Sequence, residues 1–168
     1  MLLFSYLAAI LLHECGHLTA LALYRVKLQK VTASPFGLTI SHTRLPSCRA
    51  EVTVALCGPL FGMIGYIALH NSASLPIVSV LSLYLSLFNL LPIETLDGHR
   101  ALSSLLSSRL SPDKADAVSR LVSRATLFLL WVLGIYVWFI LDESPSLFLM
   151  ALTLFFQGIK SDSQAIRA

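Results

Sequence analysis

The chain has 168 residues, 56% of them hydrophobic and 12% charged, with a mean hydropathy of +0.77 and a formal charge of +3. A soluble domain carries about 25% charged residues, so this composition describes an integral membrane protein, and a soluble core explains it badly. The small positive charge is no nucleic-acid signal, because the basic residues lie in loops between apolar stretches and form no concentrated patch. Cys15, Cys48 and Cys57 make no CxxC pair and no even disulfide framework, and Cys15 and Cys57 read as small hydrophobic residues within apolar spans.

A helix needs about 20 apolar residues to cross the hydrocarbon core, and five stretches are candidates. The first covers about 1–24 (MLLFSYLAAILLHECGHLTALALY). It is no signal peptide, since it lacks a basic leading region and ionisable residues interrupt its apolar run. Those residues are His13, Glu14 and His17 of the sequence His-Glu-Cys-Gly-His. On a helix, His13 and His17 lie on one face and can grip one metal ion, with Glu14 placed to take a proton from a water held there. Ionisable groups in hydrocarbon are costly, which makes them functional candidates. Residues 27–45 follow (KLQKVTASPFGLTISHTRL), with β-branched residues around Pro35-Phe36-Gly37; they predict a short hairpin or re-entrant element at the membrane surface.

The second and third spans are predicted over about 50–69 and about 75–93. Beyond the third, Pro92 breaks the helix and Gly98 permits a sharp turn. Residues 98–110 place Leu102, Leu105, Leu106 and Leu110 at helical spacing opposite Ser and Arg, an interfacial amphipathic helix. Ser111-Pro112-Asp113 ends it and starts another short helix, Ser111 capping and Pro112 in the first turn. The fourth and fifth spans cover about 121–141 and about 145–159. All 12 Lys and Arg then fall on one side: five around the loop after the first span, five between the third and fourth, and two in the tail. The positive-inside rule places the N-terminus outside and the C-terminus in the cytoplasm, as an odd number of spans requires.

A catalytic zinc site typically has three protein ligands and an open position. Asp97, just past the third span, is the best third ligand beside His13 and His17 if the 92–98 segment folds back toward the bilayer; Glu94, His99 and His42 are its rivals.

Three blocks make the chain resemble the site-2 protease family of intramembrane zinc metalloproteases, closest to its compact sporulation-type branch, which processes a membrane-associated pro-sigma factor. They are His13-Glu14-Cys15-Gly16-His17, Ser34-Pro35-Phe36-Gly37, and Asn89-Leu90-Leu91-Pro92 continuing to Leu96-Asp97-Gly98. A weaker block, Cys57-Gly58-Pro59, resembles the family's Ala-Gly-Pro. The resemblance implies a polytopic all-α bundle with a three-span catalytic core over about 1–110 and accessory spans over about 121–159, one domain over 1–168 without an appended regulatory domain. It implies one zinc held by His13, His17 and Asp97, Glu14 as general base, and Asn89 positioning the substrate or polarising its carbonyl. The hairpin around Phe36 would guide an unwound substrate segment. The implied partners are a membrane-tethered protein substrate, the lipid bilayer and a membrane inhibitor or regulator, with no nucleic acid, and the implied location is a bacterial plasma membrane. A metal-binding or metal-transporting membrane protein, or an inactive relative serving as a binding platform, is the competing reading. Spans four and five carry almost no ionisable side chains, which argues against a transport path.

Overall fold

The first stretch forms one helix, α1 (Leu2–Leu23), whose buried stripe is the polar one. Ala9, His13, Gly16, His17 and Ala20 face inward, while Phe4, Leu7, Leu11 and Leu18 face out. That inverts a soluble amphipathic helix and suits lipid, where apolar side chains face the solvent. The computed structural model describes residues 2–26, 28–34, 37–42, 45–72, 75–141 and 144–165, with backbone alone for 28–34, 37–42 and 159–165.

α1 ends with Arg25 in the left-handed region (φ 53°), where the Val26 N–H reaches the Leu21 carbonyl at 3.0 Å and the Arg25 N–H reaches that of Ala22 at 3.0 Å. These two bonds close the helix terminus. β1 (Leu28–Ser34) then pairs antiparallel with β2 (Gly37–His42), the hairpin expected from the sequence; Pro35 and Phe36 at its tip lie outside the described residues. α2 (Cys48–Leu69) starts behind Ser47, whose hydroxyl accepts from the Ala50 N–H at 3.2 Å, and it packs against α1, α3 and α4.

α3 (Pro76–Asn89) is shorter than the stretch 75–93 predicts. Pro92 disfavours helical backbone at Leu91, and the Leu90 N–H makes the last helical bond, to the Ser86 carbonyl at 3.2 Å. Fourteen residues span about 21 Å against a hydrocarbon core of roughly 30 Å. α4 (Asp97–Ser107) follows, close to the amphipathic helix expected. Gly98 does not make the sharp turn. It lies within α4, where a methyl group would overlap the Leu90 carbonyl oxygen and come within 2.6 Å of that of Leu91. Its role is close approach.

α5 (Pro112–Phe139) differs from expectation. Pro112 does start a helix behind Ser111, but that helix is not short and runs unbroken for 28 residues into the fourth span. The reason is that no proline or glycine lies between Asp113 and Leu133. α6 (Ser146–Ala165) packs back on α5. Among the described residues, α1, α2 and α5 are long and apolar enough to cross a membrane, while α3 and the apolar part of α6 (Ser146–Gly158) are shorter. The protein is an integral membrane protein, and its described residues form a helical bundle with one hairpin.

Two apolar clusters frame the bundle. Ala20, Leu21, Leu45, Ala50 and Val54 join α1 to the start of α2. Ile93 and Leu96 pack with Leu154 of α6, covered by Leu127 and Leu130 of α5. Between α2 and α3, Ser79, Ser82 and Ser86 are fully buried, and their hydroxyls donate to the carbonyls of Tyr66, Val78 and Ser82 at 3.2, 2.8 and 2.7 Å. Small side chains with satisfied hydroxyls let helices approach closely in lipid.

Candidate metal centre

One helical turn separates His13 from His17, so both imidazoles leave the same face of α1. That face meets α2 at the shortest approach the two helices allow. A methyl group at Gly16 would overlap the Cys57 carbonyl oxygen and come within 2.9 Å of the Gly58 Cα. Gly58 in turn leaves room for the rings themselves, since a methyl there would overlap Nε2 of His17 and lie 2.8 Å from Nε2 of His13. The His17 Nδ1–H donates to the Val54 carbonyl at 2.8 Å, which fixes the tautomer and turns the lone pair of Nε2 inward.

The irregular segment after α3 brings Asp97 to the same point from the other end. Its Oδ2 lies 3.0 Å from His13 Nε2 and 3.1 Å from His17 Nε2, and the two Nε2 atoms are 3.2 Å apart. Bonds of about 2.0–2.1 Å at tetrahedral angles would set neighbouring ligand atoms about 3.3 Å apart. The spacing of the three donors therefore fits one small divalent cation. The tautomer argues likewise: the inward lone pair of His17 faces a carboxylate oxygen, two acceptors that only a cation or an added proton reconciles. His13 Nδ1 is buried with no hydrogen-bond partner among the described residues.

The Asp97 carboxylate is buried beside the two imidazoles. Its second oxygen lies 3.7 Å from Arg100 Nη1. Glu14 is buried beside the pair, only 9% exposed.

Other candidates from the sequence lie elsewhere. Glu94 directs its carboxylate toward α6, where a methyl at Gly158 would come within 3.3 Å of its Oε2. His99 is half-buried on the α5 side of α4, its Nδ1 unpartnered among the described residues. Burial pushes it below its ordinary 6.5, Asp116 of α5 pulls it back up, and Arg120 adds to the lowering. His42 belongs to β2, and its side chain lies outside what is described. Asn89 sits in the last turn of α3, with its amide donating to the Leu85 carbonyl at 2.9 Å. Val54 and the steric role of Gly58 escaped the sequence reading. Only the Gly-Pro pair hinted at Gly58, and a backbone carbonyl leaves no mark in a sequence.

Comparison with known proteins follows this geometry. Peptidase family M50 matches residues 67–133, which include the Asn89–Asp97 segment. The zinc metalloprotease MJ0392 of Methanocaldococcus jannaschii is 26% identical over 94% of this chain and 48% of its own length. Stage IV sporulation protein FB of Bacillus subtilis is 28% identical over 83% of this chain and 51% of its own. The structure of the site-2 protease from Methanocaldococcus jannaschii superposes with a TM-score of 0.72 at 25% identity, covering 91% of this chain and 73% of that one. The chain is similar in sequence and in fold to site-2 proteases. It spans about half the length of the curated relatives it matches.

Proposed function

We propose that this protein is an intramembrane zinc metalloendopeptidase that hydrolyses a peptide bond of a membrane-tethered protein near the cytoplasmic face. The observation that carries this reading is the convergence of His13, His17 and Asp97 within 3.2 Å of one another, buried beside Glu14, in a chain similar to site-2 proteases. His13, His17 and Asp97 would hold the zinc. When bound, zinc lowers the pKa of water and polarises a carbonyl. Glu14 acts as general base, accepting the proton of the attacking water on its carboxylate and delivering it to the departing amine nitrogen. Asn89 positions the substrate or polarises its carbonyl. A transmembrane helix hides its carbonyls in its own hydrogen bonds, so the substrate must unwind first. The β1–β2 hairpin guides that unwound segment.

The placement of every Lys and Arg on one side supports an N-terminus outside and a C-terminus in the cytoplasm of a bacterial plasma membrane. The relative named as a sporulation protein supports a pro-sigma or other regulatory factor as substrate, with a membrane inhibitor or regulator as a second partner.

The test uses wild type, Glu14→Gln and Asp97→Ala in detergent, read by metal content and by cleavage of a tethered pro-sigma substrate. The expected result is about one zinc per chain in wild type and Glu14→Gln, little in Asp97→Ala, and cleavage in wild type alone. Loss of the base lowers the rate about 10²–10⁴-fold. Wild type without zinc, or a Glu14→Gln variant that still cleaves, overturns the reading.

A further inference from the structure

We infer that Ser123 of α5 is a positioning residue for Asp97, so that the C-terminal helices complete the metal centre. This rests on the reading of Asp97 as a metal ligand. Asp97 opens α4, yet α4 has no side-chain cap of its own: Leu96 stands at the N-cap and offers no polar group. The turn before it therefore helps to set the place of Asp97. In that turn the Leu96 N–H donates to the Ile93 carbonyl at 2.7 Å, and Ile93 and Leu96 bury their side chains against Leu154, Leu127 and Leu130 of α5 and α6.

Apolar packing sets depth but has no direction. A half-open groove of about 230 Å³ also runs along this side of the turn, between Ile93, Glu94, Ser123, Leu127 and Leu154. A directional contact spans the same gap. The Glu94 N–H donates to Ser123 Oγ at 3.0 Å, and Ser123 is 4% exposed. The neighbouring serine shows that this is not simply what α5 does with a hydroxyl. Ser119, one turn earlier and just as buried, donates to the Asp116 carbonyl of its own helix at 3.1 Å. Ser123 accepts from a different segment, three residues before the third ligand. Partners behind metal ligands commonly govern affinity, at about 10–100-fold each.

The experiment uses the full chain in detergent as wild type, Ser123→Ala, Ser123→Thr, Ser119→Ala and Asp97→Ala. Zinc affinity is read by competition with a chelator, and site geometry by the visible spectrum of the cobalt-loaded protein. Ser123→Ala is expected to weaken zinc about tenfold or more and to alter the cobalt bands. Ser123→Thr, which keeps an acceptor oxygen, restores both, and Ser119→Ala matches wild type. If Ser123→Ala does not fold, Ser123→Cys carries the same expectation, because its sulfur is a poor acceptor of similar size. Wild-type affinity and spectrum in the Ser123 variants, with metal lost in Asp97→Ala, overturn the inference and leave the ligand reading standing. Equal weakening by Ser119→Ala also overturns it, as a general loss of packing. Full metal binding by Asp97→Ala overturns the ligand reading instead.

Discussion

Gly58 shows how much of the centre depends on a missing side chain. It donates nothing to the metal, yet the space over its Cα is where the two imidazole rings sit. Gly58→Ala should abolish or severely weaken metal binding, by about 10-fold or more, because α1 cannot retreat from α2 while Gly16 holds the backbones together. Metal content beside a circular dichroism spectrum checks this, with helicity expected to stay at the wild-type level. His99 offers a different single-residue test. The unfolded chain takes up a proton near pH 6.5 that the folded chain, with its imidazole held lower, does not. The folded state therefore loses stability as pH falls through about 6.5 and below. Thermal melts from about pH 7.5 to about pH 5.5 should show a steeper fall for wild type than for His99→Asn. That His13 and His17 share one face was legible, because four-residue spacing is local information. The choice of Asp97 over Glu94 and His99 was less so, since three neighbours in an irregular segment can each point anywhere until packing decides. Here Glu94 turns to α6 and His99 to α5, while Asp97 turns to α1.

At the scale of elements, two ties hold α4 from opposite ends. One runs from its leading turn to α5 through Ser123. The other runs from Ser104, whose hydroxyl donates to the Glu51 carboxylate of α2 at 2.6 Å. A hydrogen bond to a charged group contributes about 1.5–3 kcal/mol, so Ser104→Ala should lower the melting temperature of the detergent-solubilised protein by several degrees. Glu51→Gln, which still accepts, should lower it less. Comparing the two melting curves separates the hydrogen bond from the charge. The apolar helices were readable from composition, and the start of α5 from Ser111-Pro112. The continuity of α5 was not. Its first turns, Pro112-Asp113-Lys114-Ala115-Asp116, have the composition of a surface helix, and the apolar run begins later. A change of solvent along one helix looks in sequence like a boundary between two. Pro92 was read correctly as a breaker, but α3 stops at Asn89 because the restriction extends back to the preceding residue.

For the whole molecule, the outward faces are apolar along the bundle. Phe128, Leu129 and Leu133 of α5 are at least half exposed, as are Leu60, Ile64 and Ile67 of α2. A cation at Leu129 should therefore cost about 2.5–3.5 kcal/mol of insertion free energy, whereas one at Val118, on the polar part of the same helix, should cost almost nothing. The membrane-inserted fraction of Leu129→Lys and Val118→Lys measures this, and equal yields would mean that α5 does not pass from water into lipid between them.

The unbroken length of α5 has one more consequence. Its 28 residues make a rod of about 42 Å, roughly 12 Å longer than the hydrocarbon core is thick. Helices bend sharply at proline, glycine pairs or bulges, and none of these stands between Asp113 and Leu133. A tug on the charged end around Asp113 and Lys114 has no joint in which to dissipate. It reaches Ser123 as a tilt of the whole beam, and a molecule that never enters the bilayer could by that leverage loosen or tighten the grip on the metal.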